Sequence, residues 1–127
     1  SLIKKIGFFD NNFFMYFEDV DLCDRIKDAG FEIIETPSSF CFHHKGISNN
    51  GSFKSSYIAI SSFKFSEIYY FSKFGYKYTL RIYLHSLDYI LRIFLNIFLF
   101  NKNKIFTNIF RLIGVVRFLF YKKKSKF

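Results

Sequence analysis

Polar residues recur at helical spacing through a strongly apolar stretch in the second half of this 127-residue chain. They follow one another by 4, 3, 4 and 4 positions and are Arg81, His85, Asp88, Arg92 and Asn96. This spacing places them on one face of an α-helix, predicted over residues 78–100. Lys104, Asn108 and Arg111 begin a similar stripe, which predicts a second helix ending near Tyr121. Both helices should carry a very wide face of Leu, Ile, Phe and Tyr.

The short length of the apolar runs argues against a membrane span. Only nine residues between Arg92 and Lys102 are free of charge, whereas a helix needs roughly 20 to cross a bilayer. A polar stripe, a broad apolar face and a basic end are typical of helices in the membrane interface. The basic end consists of Lys122, Lys123, Lys124 and Lys126. We predict that residues 78–127 bind an anionic membrane surface from one side; the alternative is packing against other protein.

Charge is unevenly divided along the chain, whose net charge is +9. Residues 1–50 carry five basic and eight acidic side chains, and residues 51–127 carry 14 basic and two acidic ones. Clustered carboxylates can bind a metal ion or act as a base, and a basic aromatic surface can meet anionic lipid or nucleic acid. The basic residues are sparse along the helices, so we expect no nucleic-acid partner. Two cysteines exclude a disulfide framework.

The first half of the chain reads as the edge of an α/β domain. A short helix is predicted from Asp19, as its N-cap, to Ala29, with Gly30 at the C′ position. Phe31–Thr36 is predicted to be a strand that stops before a proline, and Ser39–His43 a second extended stretch. Lys45–Ser56 is rich in Ser, Asn and Gly and is predicted to be a loop, with helix from about residue 57.

The segment 6–48 carries an ordered motif around the string F-F-M-Y-F-E-D-V-D-L-C-D-R at positions 13–25. It resembles the C-terminal part of the catalytic domain of family 2 inverting glycosyltransferases with the GT-A fold, particularly the bacterial rhamnosyltransferase-like group. The matching residues are Gly7, Phe9, Asp10, Phe13, Phe14, Tyr16, Glu18, Asp19, Asp21, Leu22, Arg25, Ala29, Gly30, Pro37, His43, Gly46 and Ser48. The sequence departs from the pattern at Phe8, Asn11 and Lys45.

The resemblance implies an α/β fold: residues 1–56 would be the C-terminal part of a GT-A (Rossmann-like) domain, followed by an α-helical extension over 57–127. The nucleotide-binding half would precede Ser1, and the residues present would not catalyse alone. The implied reaction moves a sugar, with inversion, from a nucleotide-sugar donor to a glycan or lipid-linked acceptor. It would serve surface polysaccharide synthesis, with the enzyme held peripherally at the cytoplasmic face of the inner membrane.

The same resemblance gives roles to the acidic residues. Asp19 would be the catalytic base that takes the proton from the acceptor hydroxyl, and Glu18 would contact or orient the acceptor. Asp10 would shape the acceptor pocket. Asp21 and Arg25 are spaced as an i, i+4 pair, and we expect them to support the substrate site through a helix salt bridge. Capping of a helix is the simpler reading of Glu18 and Asp19.

A divalent metal ion, Mg²⁺ or Mn²⁺, is implied as the cofactor that stabilises the leaving diphosphate. His43 matches the histidine that joins the metal–diphosphate site in the family, and His44 has the simpler reading of a structural residue. Cys23 and Cys41 together with these histidines do not have zinc-finger spacing, so a zinc site is not expected.

A function of another class remains open at this point. The chain would then be a non-catalytic adaptor at a membrane surface that keeps a degenerate transferase remnant. An upstream reading frame that encodes a nucleotide-binding half would favour the enzyme over the adaptor.

Overall fold

The computed structural model describes residues 2–42, 51–73 and 78–124, and this part of the chain forms five α-helices. They are α1 (Leu2–Ile6), α2 (Glu18–Asp28), α3 (Phe53–Lys73), α4 (Tyr78–Phe98) and α5 (Lys102–Lys124). The three helices predicted from the sequence are confirmed to within three residues at each end. Helix α1 was not expected, and α3 begins inside the predicted loop.

The predicted α/β fold is wrong, because the described residues are all-helical and contain no strand. Phe31–Thr36 and residues 39–42 have irregular backbone, and the remainder of the second predicted stretch lies outside the described residues. A strand is held by hydrogen bonds to a neighbouring strand, and no described segment pairs with these residues. Their apolar side chains, among them Ile34 and Phe40, are exposed, so burial does not hold them either.

Side-chain caps explain where two of the three long helices, α3 and α5, begin. The Ser52 hydroxyl accepts a hydrogen bond from the backbone N–H of Ser55 at 3.1 Å, which fixes the start of α3. The Asn101 side chain accepts one from the backbone N–H of Lys104 at 3.2 Å and does the same for α5. Each cap satisfies a donor that the first helical turn leaves open.

The core of the molecule is formed by the three long helices, with α5 packed against both α3 and α4. Its buried members are Phe65, Ile68, Ile82, Val115 and Phe118, flanked by Tyr69, Phe71 and Tyr121. Gly114 lets α5 approach α3 closely: a Cβ at this position would lie 2.5 Å from the Ser61 carbonyl oxygen. The close approach holds α3 in place, and α3 in turn carries the other half of the candidate site.

Helix α4 buries the Asn96 end of its polar stripe, leaves Arg81 and Arg92 exposed, and turns much of its apolar surface outward. Asn96 is 6% exposed and Arg92 lies at the edge of the groove facing α5, whereas Leu84, Leu91 and Phe98 are exposed. The polar stripe is therefore only partly in contact with solvent, because its Asn96 end packs towards α5. Within the described ranges, no helix is long and apolar enough to span a bilayer.

Candidate functional site

One face of α3 carries the polar groups that organise the acidic segment. Ser66, Tyr69, Tyr70 and Lys73 are spaced i, i+3, i+4 and i+7 and share that face. The Ser66 hydroxyl donates to the Met15 carbonyl oxygen at 2.8 Å, and the Tyr70 hydroxyl donates to the Asp24 carboxylate. Residues 10–17 and helix α2 are thus docked onto α3.

Asp10 is held by four donors. Its Oδ1 accepts hydrogen bonds from the backbone and side-chain N–H groups of Asn12, at 2.9 and 2.7 Å. Its Oδ2 accepts from the Tyr69 hydroxyl and the Lys73 ammonium, each at 2.9 Å. Both oxygens are therefore engaged by groups of the protein itself, and Asp10 ties its turn to α3.

Asp21 is fully buried and sits between two cations. The Lys73 ammonium donates to Oδ1 at 2.5 Å, and the Arg25 Nε donates to Oδ2 at 2.9 Å. The guanidinium of Arg25 also donates to the carbonyl oxygens of Ile6, at 2.6 Å, and Phe8, at 2.7 Å. The expected pair of Asp21 and Arg25 is present, and it anchors the segment that precedes the motif.

Hydrogen bonds between Asp10 and Lys73 favour the charged forms of both side chains. Burial alone would raise the pKa of Asp10, but the Asn12 backbone N–H, Lys73 and Tyr69 hold it well below its usual range. Burial would lower the pKa of Lys73, but hydrogen bonds to Asp21 and Asp10 raise it. Burial and donation to Asp10 raise the pKa of the Tyr69 hydroxyl. Asp10 is therefore a poor proton acceptor, since it stays ionised far into acid.

Glu18 and Asp19 occupy the first turn of α2. The helix begins at Glu18 with Phe17 as N-cap, so the prediction that Asp19 is the N-cap is wrong. Asp19 lies about 200° around the helix from Asp21, given 3.6 residues per turn, and its side chain is exposed. Its Oδ1 accepts a hydrogen bond from the Val20 backbone N–H at 2.8 Å. Within the part of the chain that the structure describes, no cation pairs with it.

The carboxylate of Glu18 is only partly satisfied. Its Oε2 is buried and has no hydrogen-bond partner among the described residues. A buried oxygen without a partner costs about 1–3 kcal/mol. A donor on a bound ligand would remove that cost.

The backbone just before these carboxylates is strained. Tyr16 has a φ of 68° and Phe17 a φ of 66°, so two adjacent aromatic residues adopt the left-handed conformation. Such a conformation costs of order 1–3 kcal/mol at each non-glycine residue and persists only where surrounding contacts enforce it. The Phe17 ring packs against Phe63, Tyr70 and Phe71 of α3, which supplies those contacts.

An open cavity of about 270 Å³ lies beside the two carboxylates. Its walls are Tyr16, Phe17, Glu18, Asp19, Val20 and Phe63. The cavity combines aromatic faces with an accessible carboxylate and an unsatisfied one. These are the groups that can bind a hydroxylated ring and accept a proton from it.

The structure does not supply a metal site. His43 and His44 lie outside the described residues, and within residues 2–42, 51–73 and 78–124 no three His, Cys, Asp or Glu side chains gather around a point. The assignment of His43 as a metal ligand therefore stays a prediction.

Sequence reasoning missed the residues of α3. Tyr69 binds Asp10, and Lys73 binds both Asp10 and Asp21 of the motif helix. Both residues lie more than 50 positions further along the chain than these carboxylates. Their i, i+4 spacing, with Ser66 and Tyr70 on the same face, was the available signal. The spacing shows that these residues share a face of α3, but it does not show which part of the molecule that face contacts.

Comparison with known proteins adds one relative. A segment of 45 residues, 35% of the chain, is 47% identical to an N-acetylglucosaminyl-diphospho-decaprenol L-rhamnosyltransferase of Mycobacterium tuberculosis, in each of two strains. The match spans 15% of the length of these curated relatives. No protein-family profile matches the chain, and no solved structure matches it significantly. About a third of the chain is thus similar to a glycosyltransferase.

Proposed function

We propose that the protein is part of a glycosyltransferase that moves a sugar, with inversion, from a nucleotide-sugar donor to a lipid-linked acceptor, and that Asp19 is its catalytic base. The observation that carries this proposal is the separation of the acidic residues into two groups. Asp10 and Asp21 are paired with cations and donors of the protein, whereas Asp19 is exposed at a cavity and forms no ion pair with the residues that the structure describes.

The proposed step uses Asp19 as a proton acceptor. The acceptor hydroxyl oxygen attacks the anomeric carbon, the bond from that carbon to the donor diphosphate breaks, and its electron pair leaves with the diphosphate. The hydroxyl proton passes to the Asp19 carboxylate. A positioned carboxylate accelerates such a transfer by roughly 10²–10⁴. Inversion follows because the hydroxyl attacks from the side opposite the leaving group.

Glu18 would bind the acceptor, since its buried Oε2 lacks a hydrogen bond that a sugar hydroxyl can donate. Asp10, Asp21 and Arg25, predicted at the substrate site, are proposed to act as positioning residues. They fix the start of α2 and the turn before it through Lys73, and they hold Asp19 at the edge of its cavity.

The lipid-linked acceptor and the place of action are supported by the relative and by α4. The relative's name specifies a sugar–diphosphate–decaprenol acceptor. The outward face of α4 carries exposed Leu84, Leu91, Phe94 and Phe98, and a large exposed apolar patch marks a membrane or protein contact. We propose that this face enters the membrane surface from the cytoplasmic side. We propose that His43 helps to hold a divalent metal ion, which would supply positive charge to the leaving diphosphate.

The experiment is a transfer assay with the full-length protein. It is incubated with nucleotide-activated sugars, including activated L-rhamnose, and with N-acetylglucosaminyl-diphospho-prenol, and products are followed by mass spectrometry and NMR. The proposal predicts an acceptor heavier by one sugar with inverted anomeric configuration. Retained configuration, or transfer to no acceptor from any donor, would contradict it.

A further inference from the structure

Two polar cavities lie between the long helices, where a bundle of this kind would ordinarily be apolar. The first, about 560 Å³, is lined among others by Lys64, Glu67, His85, Tyr89 and Arg111. The second, about 360 Å³, lies between α4 and α5 and is lined among others by Arg92, Asn96, Lys104, Asn108 and Arg111. Arg111 borders both, so the two cavities meet at this side chain and together form a groove between the helices.

The groove has an excess of positive charge. Lys64 is neutralised by Glu67 at 2.6 Å and Arg92 by Asp88 at 2.7 Å. Arg111 contacts the Asn108 side-chain oxygen at 3.4 Å and lies over the Tyr89 ring. Among the described residues, no carboxylate forms an ion pair with Arg111 or with Lys104. The Asp88 carboxylate also acts on Arg111 through space. The four basic side chains still outnumber Glu67 and Asp88 by two, and this excess of positive charge favours an anionic ligand.

The groove adjoins the cavity of Asp19. Tyr16 and Phe63 line both the first groove cavity and the carboxylate cavity. Their rings make an edge-to-face contact with centroids 5.4 Å apart. The two rings therefore stand between Arg111 and the carboxylate side, where they can contact a sugar that extends towards Asp19.

The other end of the groove opens towards the exposed face of α4. Leu95 and Leu99 line the second groove cavity and are themselves exposed. They continue into the outward apolar surface that includes Phe98. From the Asp19 cavity to the exposed face of α4, the surface thus presents a carboxylate, then two aromatic rings, then the cations of the groove, and finally apolar side chains.

We infer that this groove binds the diphosphate of the lipid-linked acceptor, with its sugar towards Asp19 and its hydrocarbon chain towards α4. The inference rests on the proposed function and adds the acceptor site to it. A sugar–diphosphate–lipid has the same order of groups as the surface: hydroxyls, then two phosphates, then hydrocarbon. Arg binds phosphate oxygens through paired N–H donors, and aromatic rings accommodate the apolar face of a sugar. A nucleoside diphosphate shares the diphosphate but lacks the hydrocarbon.

The test measures binding, not transfer. Titration calorimetry with the full-length protein in detergent uses two probes, farnesyl diphosphate and uridine diphosphate. The variants are Arg111→Gln and Lys104→Gln, with Arg111→Lys to retain the charge and Lys27→Gln, an exposed lysine on α2, as the matched control. Circular dichroism checks that each variant keeps its helix content.

Loss of one charged contact is expected to weaken farnesyl diphosphate binding by about tenfold or more in Arg111→Gln and Lys104→Gln. Arg111→Lys should recover most of the affinity, and Lys27→Gln should bind as the unaltered protein does. Uridine diphosphate binding should be unchanged by all four. Unchanged farnesyl diphosphate affinity in folded Arg111→Gln would overturn the site. If the binding of both probes is weakened equally, the groove recognises any diphosphate, and the assignment to a lipid-linked diphosphate would be overturned.

Failure of this inference is distinguishable from failure of the proposed function, because binding of a prenyl diphosphate needs neither donor nor base. If Arg111→Gln loses the prenyl diphosphate while Asp19→Asn transfers sugar normally, the diphosphate site stands and the base is wrong. If Asp19→Asn loses transfer while Arg111→Gln binds normally, the groove is wrong and the base stands.

Discussion

The ammonium of Lys73, the last residue of α3, lies 2.5 Å from the Oδ1 of Asp21 in the first turn of α2. Asp21 has no solvent-exposed surface, so this ion pair is made largely away from water. It joins the acidic motif to a helix that starts more than 30 residues after Asp21. The candidate site is therefore a product of tertiary packing between the two halves of the chain.

Removing Lys73 should destabilise the fold. Lys73→Met leaves Asp21 buried with Arg25 as its remaining cation and takes one donor from Asp10. Breaking a buried pair on one side costs about 3–5 kcal/mol, and we expect about 3 kcal/mol because Arg25 stays in place. Urea unfolding measures the change. Lys54→Met, on an exposed turn of the same helix, is the control and should change stability little; equal effects would refute the role of Lys73.

The contribution of Asp10 to the free energy of unfolding should depend on pH only under acidic conditions. Its pKa in the folded protein is below the ordinary 3.8, so the ionised carboxylate stabilises the fold fully above that value. The contribution is lost as the pH falls from about 3.8 through the folded-state pKa. The difference in unfolding free energy between the protein and Asp10→Asn should be constant from about pH 5 to 8 and shrink below pH 4. A difference that is independent of pH down to 2 would contradict this.

Gly114→Ala should destabilise the protein although alanine favours helix by about 1 kcal/mol. The new Cβ would lie 2.5 Å from the Ser61 carbonyl oxygen and 2.8 Å from the Lys64 Cβ. Such overpacking costs about 1–3 kcal/mol, and thermal unfolding would detect it. Val116→Ala, two residues along and exposed, should stay within about 0.5 kcal/mol of the unaltered protein. A stabilised Gly114→Ala would show that α3 and α5 are further apart.

The outward face of α4 should mediate membrane binding. Changing Leu91, Phe94 and Phe98 to Ser should reduce partition onto anionic vesicles by at least about tenfold, since each buried side chain of this size contributes about 1.5–3 kcal/mol. The loss should persist at high salt, which screens only the basic residues. The control changes Ile33, Ile34 and Phe40, which are similarly exposed. Equal loss in the control, or complete release by salt alone, would contradict the role of α4.

Local patterns predicted the helices well. The stripe from Arg81 to Asn96 and the acidic run after Phe17 gave α4 and α2, because helical periodicity and capping are properties of neighbouring residues. The prediction of a strand at Phe31–Thr36 was wrong because strands are not determined by neighbouring residues alone. Strand formation depends on a partner elsewhere, and β-branched and aromatic residues alone do not provide one.

The sequence predicts which residues belong to the candidate site but not how the fold arranges them. The resemblance of the motif to a glycosyltransferase family, which depends on the order of its residues, identified Asp10, Glu18, Asp19, Asp21 and Arg25. Which carboxylates are neutralised depends on α3, whose side chains reach them from distant positions. The burial of Asn96 likewise depends on how α4 packs on α5, since its sequence predicts a face but not the direction of that face.

The central claim is that Asp19 is the base, and the single-turnover rate of sugar transfer by Asp19→Asn tests it most directly. Asn is as compatible as Asp with a first helical turn and cannot take the proton, so the rate should fall by roughly 10²–10⁴ while donor and acceptor binding persist. Asp28→Asn, which changes an exposed acid at the far end of α2, is the control and should transfer at the unaltered rate. Near-normal transfer by Asp19→Asn would contradict the assignment.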